Sequence, residues 1–428
     1  MKVALALCNL IVKTKLLFQM QKITQFNRWI LLWVVAMILV LESCQTTKKD
    51  PAPQALVSAR LIGQYTVADL DVRYRNIAAQ SGALAPVINT FPSQLQNGVD
   101  VYRIVYRTTD VRGNSIQVSG AVLIPRISNP VGIVAQHHGT ITNDADAPSY
   151  YNLSSEVAVF GTLVAANGFV VAAPDYIGYG VSNNVEHPYE HAATLAQTSL
   201  DMLRATRDLM SKQKVQWNNK LFLTGYSQGG GTTMALHKLI EERNSGEFTV
   251  TASAPGAGAY NKTAFARFIM NSNTNLTFLG TYVWVLDTYN KIYNLNRQFS
   301  QIFTEPNATI ISQVPRPPLF ASLTTISFNP QTLFLASFRN GILNGTDTAV
   351  LNAIADNNVF DWRPTAPIRM FHGTADDFVP IFNSNDALAA MNARGANQVT
   401  VVPIPGGNHT TSYPTYFLGA LAYFNSLK

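Results

Sequence analysis

Charge is what this chain has least of. Charged side chains make up 13% of its 428 residues, about half the share usual in a globular domain. No block of five or six like charges occurs, so the basic tail of a nucleic-acid binder is missing, and the excess of 31 basic over 25 acidic residues is only +6. No nucleic-acid partner is expected. Cysteine is nearly as scarce: Cys8 and Cys44 alone exclude a disulfide framework and a cysteine-based zinc site, and no cofactor is expected. Apolar residues, by contrast, reach 47%, enough at this length to bury a large core. Asn, Gln, Ser and Thr are left to cover the surface, as in a protein that works outside the cytoplasm.

A long apolar run is also missing. The longest candidate, Trp29 to Leu41 (WILLWVVAMILVL), has 13 residues, short of the ~20 that span a bilayer, and Lys22 and Arg28 precede it. It has the length of a signal-peptide core. Leu41-Glu42-Ser43-Cys44 resembles a bacterial lipobox, with Cys44 as the lipidated residue; a single-pass anchor is the alternative. Met20 heads a tidier basic segment than Met1 and is an alternative start. Residues 1–43 are therefore expected to be a signal peptide and 44–60 an anchor and polar tether. The expected location is the cell envelope, on a membrane through the lipid.

Residues 61–99 show mixed helical spacing around Leu61, Tyr65, Leu70 and Tyr74 and are assigned only as an N-terminal extension. From residue 100 strand and helix signals alternate. Val101 to Thr108 and Ile116 to Ile124 have β patterning, and VGIVAQHHG and FVVAAPD are short apolar runs of the kind found in buried parallel strands. Val157 to Asn167 has helical spacing and stops at Gly168. A helix from about Tyr189 to Met210, a strand over Lys220 to Thr224, a helix to about Arg243 and a strand over Phe248 to Ala254 follow. The rhythm breaks over 256–363, rich in Phe, Tyr, Asn and Leu, and resumes with IRMFHG, QVTVVPI and a helix from Tyr413. This is an α/β pattern: a mainly parallel sheet with helices on both faces, formed by 100–255 and 364–428, with 256–363 inserted as a cap or lid before the last two strands.

Chemistry concentrates at three of the expected strand ends. Gly225-Tyr226-Ser227-Gln228-Gly229 fits G-x-S-x-G, which puts a serine on a sharp turn between strand and helix; chance alone supplies it about 0.1 times in such a chain. A serine hydroxyl needs a base, and the base an orienting acid. Asp376 and Asp377 follow IRMFHG, and His409 follows QVTVVPI, 149 and 182 positions beyond Ser227 for Asp376 and His409. Groups at the carboxyl ends of strands converge in open α/β sheets, and the chain order Ser, Asp, His is that of α/β-hydrolases.

With GYSQGG, HGTADDFVP and GGNH carrying the site, and YRT, LIP, QHHGT and APDYIGYG preceding it, residues 100 to 428 resemble an α/β-hydrolase of the secretory lipase and esterase type. The resemblance implies Ser227 as nucleophile, His409 as base and Asp376 as acid, preferred to Asp377 by its place before Val379-Pro380. The backbone N–H of Gln228 is expected as one oxyanion donor. Gly139 or Thr140 is the candidate for the other, with a side chain of His138 or Thr140 as the alternative. Gly225 and Gly229 are expected to permit the turn, and Gly230 and Gly231 to keep the following helix close to the sheet.

Other polar residues receive structural readings. His137 and His138 shape the oxyanion loop, His372 precedes the acid loop, and Asp175 shapes the loop after its strand. His187 and His191, with Glu186 and Glu190, have metal-ligand spacing, but Pro188 suits a first helical turn and puts His187 outside the helix. No metal site is expected. Phe265, Phe268, Phe278, Tyr282, Trp284, Tyr289 and Tyr293 would give the cap its own core and line an apolar acyl pocket. The expected activity is a serine esterase or lipase acting on a small-molecule, lipid or glycan ester. A prolyl-type peptidase, an esterase removing acetyl or feruloyl groups from polysaccharides, and a binding protein on the same fold are the alternatives.

Overall fold

The computed structural model describes residues 55–129 and 131–428; the 29–41 segment and Cys44 lie outside the described residues. Among the described residues nine strands form one sheet: β1 Leu56–Tyr65, β2 Val99–Thr109, β3 Ser115–Pro125, β4 Val131–His137, β5 Val170–Pro174, β6 Trp217–Tyr226, β7 Ala252–Gly256, β8 Ile368–Gly373 and β9 Val399–Ile404. Their spatial order is β1-β2-β3-β5-β4-β6-β7-β8-β9. The first three and the β3/β5 pair run antiparallel, and every pair from β5 through β4 to β9 is parallel. The carboxyl ends of β4, β6, β8 and β9 therefore share one edge.

Helices α1 Val67–Gln80, α2 Thr162–Ala166, α3 Ala192–Lys212 and α4 Gln228–Arg243 precede the cap. Every residue of β4 is buried because both sheet faces are covered. Along β6 the faces alternate. Phe222 joins a cluster with Leu70 and Tyr74 of α1 and Leu163 of α2, while Leu221 and Leu223 join one with Leu203 and Leu209 of α3 and Leu236 of α4.

Between β7 and β8 the chain leaves the sheet and builds helices that include α5 Lys262–Asn271, α6 Leu279–Ile292, α7 Asn307–Ser312, α8 Ala336–Leu343 and α9 Thr348–Ala355. A third apolar cluster holds them, with Phe265, Trp284, Phe303, Phe334 and Phe338 among its members. Helices α10 Phe382–Ala393 and α11 Tyr413–Asn425 complete the chain. Among the described residues no helix is long and apolar enough to cross a membrane.

Two expectations about the N-terminal part need correction. The tether expected to reach residue 60 gives way at Leu56 to β1, whose Leu56 N–H donates to Asp208 at 3.1 Å and whose backbone pairs with β2. The segment assigned as an extension continues that strand and then α1. Leu61 and Tyr65 belong to the strand, Leu70 and Tyr74 to the helix, and Thr66 separates them with a capping box to Asp69. β1 is an edge strand, mostly exposed and held by its backbone ladder; such a strand needs no alternating apolar pattern, so the sequence carried none. Further on, α3 begins at Ala192 instead of near Tyr189, because Glu190 has a left-handed φ of 57°. β7 begins at Ala252, four residues after the expected Phe248.

Candidate active site

β6 ends at Tyr226 and α4 starts at Gln228, so Ser227 makes the reversal by itself, with φ 57° and ψ −121°. Such a backbone costs about 1–3 kcal/mol and persists only where its surroundings enforce it. Here Ser227 N–H donates to the Gly256 carbonyl at 2.9 Å, and bare glycines let neighbouring backbones close in. A Cβ on Gly225 would stand 2.4 Å from Gly229 O, one on Gly229 2.1 Å from His137 O, and one on Gly230 2.3 Å from Gly256 O. Gly231 differs from expectation. Its Cβ would meet only Glu190 Oε2 at 3.6 Å and Lys262 Nζ at 4.0 Å, ordinary contacts. Gly229 and Gly230 face β4 and β7 and hold the helix close; Gly231 faces the cap.

The three strand-end residues come together. Ser227 Oγ lies 2.9 Å from His409 Nε2, and His409 Nδ1 lies 2.8 Å from Asp376 Oδ2. The carboxylate accepts a hydrogen bond from Nδ1–H, leaving the Nε2 lone pair toward the serine hydroxyl. Tyr226 OH donates to the His409 carbonyl at 2.7 Å, and the Phe378 ring meets the imidazole edge-on.

Asp376 Oδ1 accepts the N–H groups of Phe378 at 3.0 Å and Val379 at 2.8 Å. Burial opposes ionisation of this carboxyl, but the hydrogen bond from His409 and the nearby His372 imidazole outweigh it and bring its pKa down to about 2. His372 Nε2 donates to the Val379 carbonyl at 2.6 Å and stands 3.4 Å from Asp376, while its Nδ1 faces Ser384 Oγ. It braces the acid loop. Asp377 is exposed.

The residues expected to donate to an oxyanion are placed differently from one another. Gln228 opens α4, where an N–H lies outside the helical ladder and the helix dipole favours negative charge. Its side chain is fixed by His187: the imidazole donates from Nδ1 to the Ile177 carbonyl at 2.7 Å, so Nε2 accepts from Gln228 Nε2 at 2.7 Å. Burial pushes the His187 pKa down to about 3, which keeps that acceptor available. Gly139 does not present its N–H to the site, because that group donates to Glu156 Oε1 at 3.0 Å. Thr140 remains beside it, its hydroxyl bonded to Tyr189 OH at 2.7 Å.

The surrounding loop residues are committed elsewhere. His138 turns its ring nitrogens to the Gly139 and Asp175 carbonyls, and buried His137 faces Thr233 Oγ1 at 2.8 Å. Asp175 accepts from Ser119 Oγ at 2.6 Å and Ser149 N–H at 2.7 Å. His191 bonds to Thr194 Oγ1 at 2.6 Å. Among the described residues no three His, Cys, Asp or Glu side chains are grouped so as to hold a metal ion.

Ser227 and Gln228 also line a cavity of about 90 Å³ beneath the cap. Phe265, Ile269, Tyr282 and Phe338 give it apolar walls, and Glu190 and Lys262 add a charged pair. Glu156, His187, Tyr189, Glu190 and Lys262 join the site without being expected there. The first had a legible signal: one carboxylate directly ahead of the apolar run VAVFGTLVAA. His187, Tyr189 and Glu190 lie in 186–191, where Pro188 already argues against a metal on a helix and the left-handed Glu190 ends any helix there; Lys262 leaves no signal.

Residues 154–426 match the family model described as secretory lipase. The chain is 23% identical over 317 residues to a secreted triacylglycerol lipase of Malassezia furfur, covering 70% of this chain and 65% of that relative's length. The rice cell wall degrading esterase of Xanthomonas oryzae aligns at 27% identity with a TM-score of 0.72, over 88% of this chain and 98% of that one. A putative hydrolase of Legionella pneumophila (24% identity, TM-score 0.76, 87% and 98% covered) and Candida antarctica lipase A in its closed state (17%, 0.62, 88% and 82%) are similar in fold.

Proposed function

The chain belongs to the secretory lipase family, and we propose that it is a serine carboxylic-ester hydrolase that works through an acyl-enzyme on esters entering beneath the cap. The observation that carries this reading is the unbroken line from Ser227 Oγ through His409 to a buried, ionised Asp376. His409 Nε2 takes the serine proton as Oγ bonds to the ester carbonyl carbon, and the carbonyl π electrons move to its oxygen. Gln228 N–H and a donor on Thr140 stabilise that oxyanion. Collapse expels the alcohol, protonated by His409, and leaves the acyl group on Ser227. Water activated by the same imidazole then releases the acid, while Asp376 stays ionised throughout.

An apolar cavity opening on Ser227 suits an acyl chain, in keeping with the triacylglycerol lipase relative. The likeness to a cell wall degrading esterase favours a second substrate reading, an acyl ester on a plant polysaccharide. A p-nitrophenyl ester series of increasing chain length, beside a fluorophosphonate label, tests the mechanism: labelling should stop in Ser227→Ala and hydrolysis fall with it. Activity unchanged in Ser227→Ala would sink the proposal. Membership of a secretory family accords with export, and Cys44 is proposed as the lipid anchor. Cys44→Ser should move the protein from the membrane to the soluble fraction, and unchanged membrane binding rejects the anchor.

A further inference from the structure

The cavity beneath the cap carries one charged pair in its wall. Lys262 Nζ donates to Glu190 Oε2 and, at 2.9 Å, to the Ala259 carbonyl, with the two side chains 8% and 12% exposed. An ammonium has three donors and a carboxylate two acceptor oxygens. Among the described residues Lys262 thus has two acceptors, and Glu190 Oε1 has no protein donor. One donor and one acceptor are left uncommitted side by side at the wall. The pair also stands close to the nucleophile: a Cβ on Gly231 would lie 3.6 Å from Glu190 Oε2 and 4.0 Å from Lys262 Nζ, and Gly231 N–H donates to the Ser227 carbonyl at 3.1 Å.

Nothing in holding the cap on the core requires these charges. Apolar side chains of similar volume usually serve as well or better than a desolvated ion pair. Glu190 adds a second cost, its left-handed φ of 57°, held in place by Tyr289 OH on its carbonyl at 2.9 Å. Two unfavourable features on one residue beside a reacting centre are how strain is retained for function.

We propose that Glu190 and Lys262 form a subsite for a hydroxyl group carried on the acyl part of the ester. The inference rests on Ser227 being the nucleophile. A hydroxyl can donate to Glu190 Oε1 and accept from Lys262 Nζ, completing both. A carboxylate would meet the negative oxygen of Glu190, and a plain alkyl chain would offer nothing to Glu190 Oε1 or to the remaining Lys262 proton. The substrate class is therefore hydroxyacyl esters, either hydroxyalkanoyl or phenolic.

The test is kcat/KM of the full-length protein for paired p-nitrophenyl esters. One arm pairs octanoate with its 4-, 6- and 8-hydroxy derivatives, the other cinnamate with 4-hydroxycinnamate. The wild type should prefer a hydroxylated member of one arm by about tenfold, which also tells the alkyl source from the phenolic one. Lys262→Met should bring that ratio to one or below, and Glu190→Gln should lower it partway. No preference in either arm overturns the subsite, as does a preference that survives Lys262→Met. If Lys262→Met does not fold, the wild-type ratio and Glu190→Gln decide. Hydrolysis that persists in Ser227→Ala removes the acyl-enzyme reading and this inference together. Ser227-dependent hydrolysis with no hydroxyl preference removes the inference alone.

Discussion

Below Ser227 the strand-end loops are fixed by hydrogen bonds, whereas above it the cap is fixed by apolar packing. Asp376 alone has two backbone donors and two imidazoles around it, and Ser227, Gly139 and Gln228 are each tied by a directional bond. The cap relies on rings such as Phe303 against Phe334 and Tyr189 stacked on Trp284. Directional bonds fix atoms to tenths of an ångström, as proton transfer requires. Apolar packing fixes volume and tolerates exchange of one hydrocarbon for another. Under the proposed function, reaction class would therefore belong to the loops and acyl selectivity to the cap.

The largest expected effect tests the loop side. Asp376→Asn should lower kcat by about 10⁴-fold, through the wrong imidazole tautomer, while Asp377→Asn, on an exposed neighbour, should change it by less than about twofold. Steady-state kinetics on the two variants decide it. Equal losses would mean that the acid role is not confined to the hydrogen-bonded residue.

Next in size is a stability effect on Glu156. Burial raises its pKa from 4.5 to about 7, against the hydrogen bonds from Gly139 and Tyr413. Below pH ~4.5 folded and unfolded chains both hold this proton. Between ~4.5 and ~7 the unfolded chain releases it and the folded one keeps it, so stability falls as pH rises, by about 3 kcal/mol in all. Asp376 has the opposite sign and a separate window, contributing stability above ~3.8 that is lost as pH falls toward 2. Glu156→Gln should flatten the slope of urea midpoints between pH 5 and 7 relative to wild type. Parallel curves for the two proteins would show that Glu156 does not titrate there.

The same contrast explains what the sequence made legible. Strand-end chemistry could be read because the sheet converts three distant positions, Ser227, Asp376 and His409, into neighbours by a rule that needs only chain order and strand ends. β4 and β5 could be read because burial on both faces demands continuous apolar residues. β1 could not, since an edge strand is held by backbone groups common to all residues. Nor could the Gly139 N–H be assigned from sequence: a glycine beside the site looks free until the carboxylate of Glu156, 17 positions on, is seen to occupy it. The pairing of Glu190 with Lys262 needed both a left-handed residue and a packed cap, neither of which leaves a periodic trace.

The smallest expected effect puts both regions on adjacent residues of one helix. Gly230→Ala places a methyl 2.3 Å from the Gly256 carbonyl oxygen, and backbone on both sides cannot move without shifting β7, so a loss of about 1–3 kcal/mol is expected. Gly231→Ala meets only the ends of Glu190 and Lys262 at 3.6 Å and 4.0 Å. Within a helix it should gain up to about 1 kcal/mol from the better propensity of alanine, partly offset by narrowing the cavity. Thermal midpoints should move in opposite directions, and the acyl-chain profile should change in Gly231→Ala alone among the folded variants. Equal destabilisation by both would place Gly231 against the sheet as well and erase the boundary between loop and cap at this turn of α4.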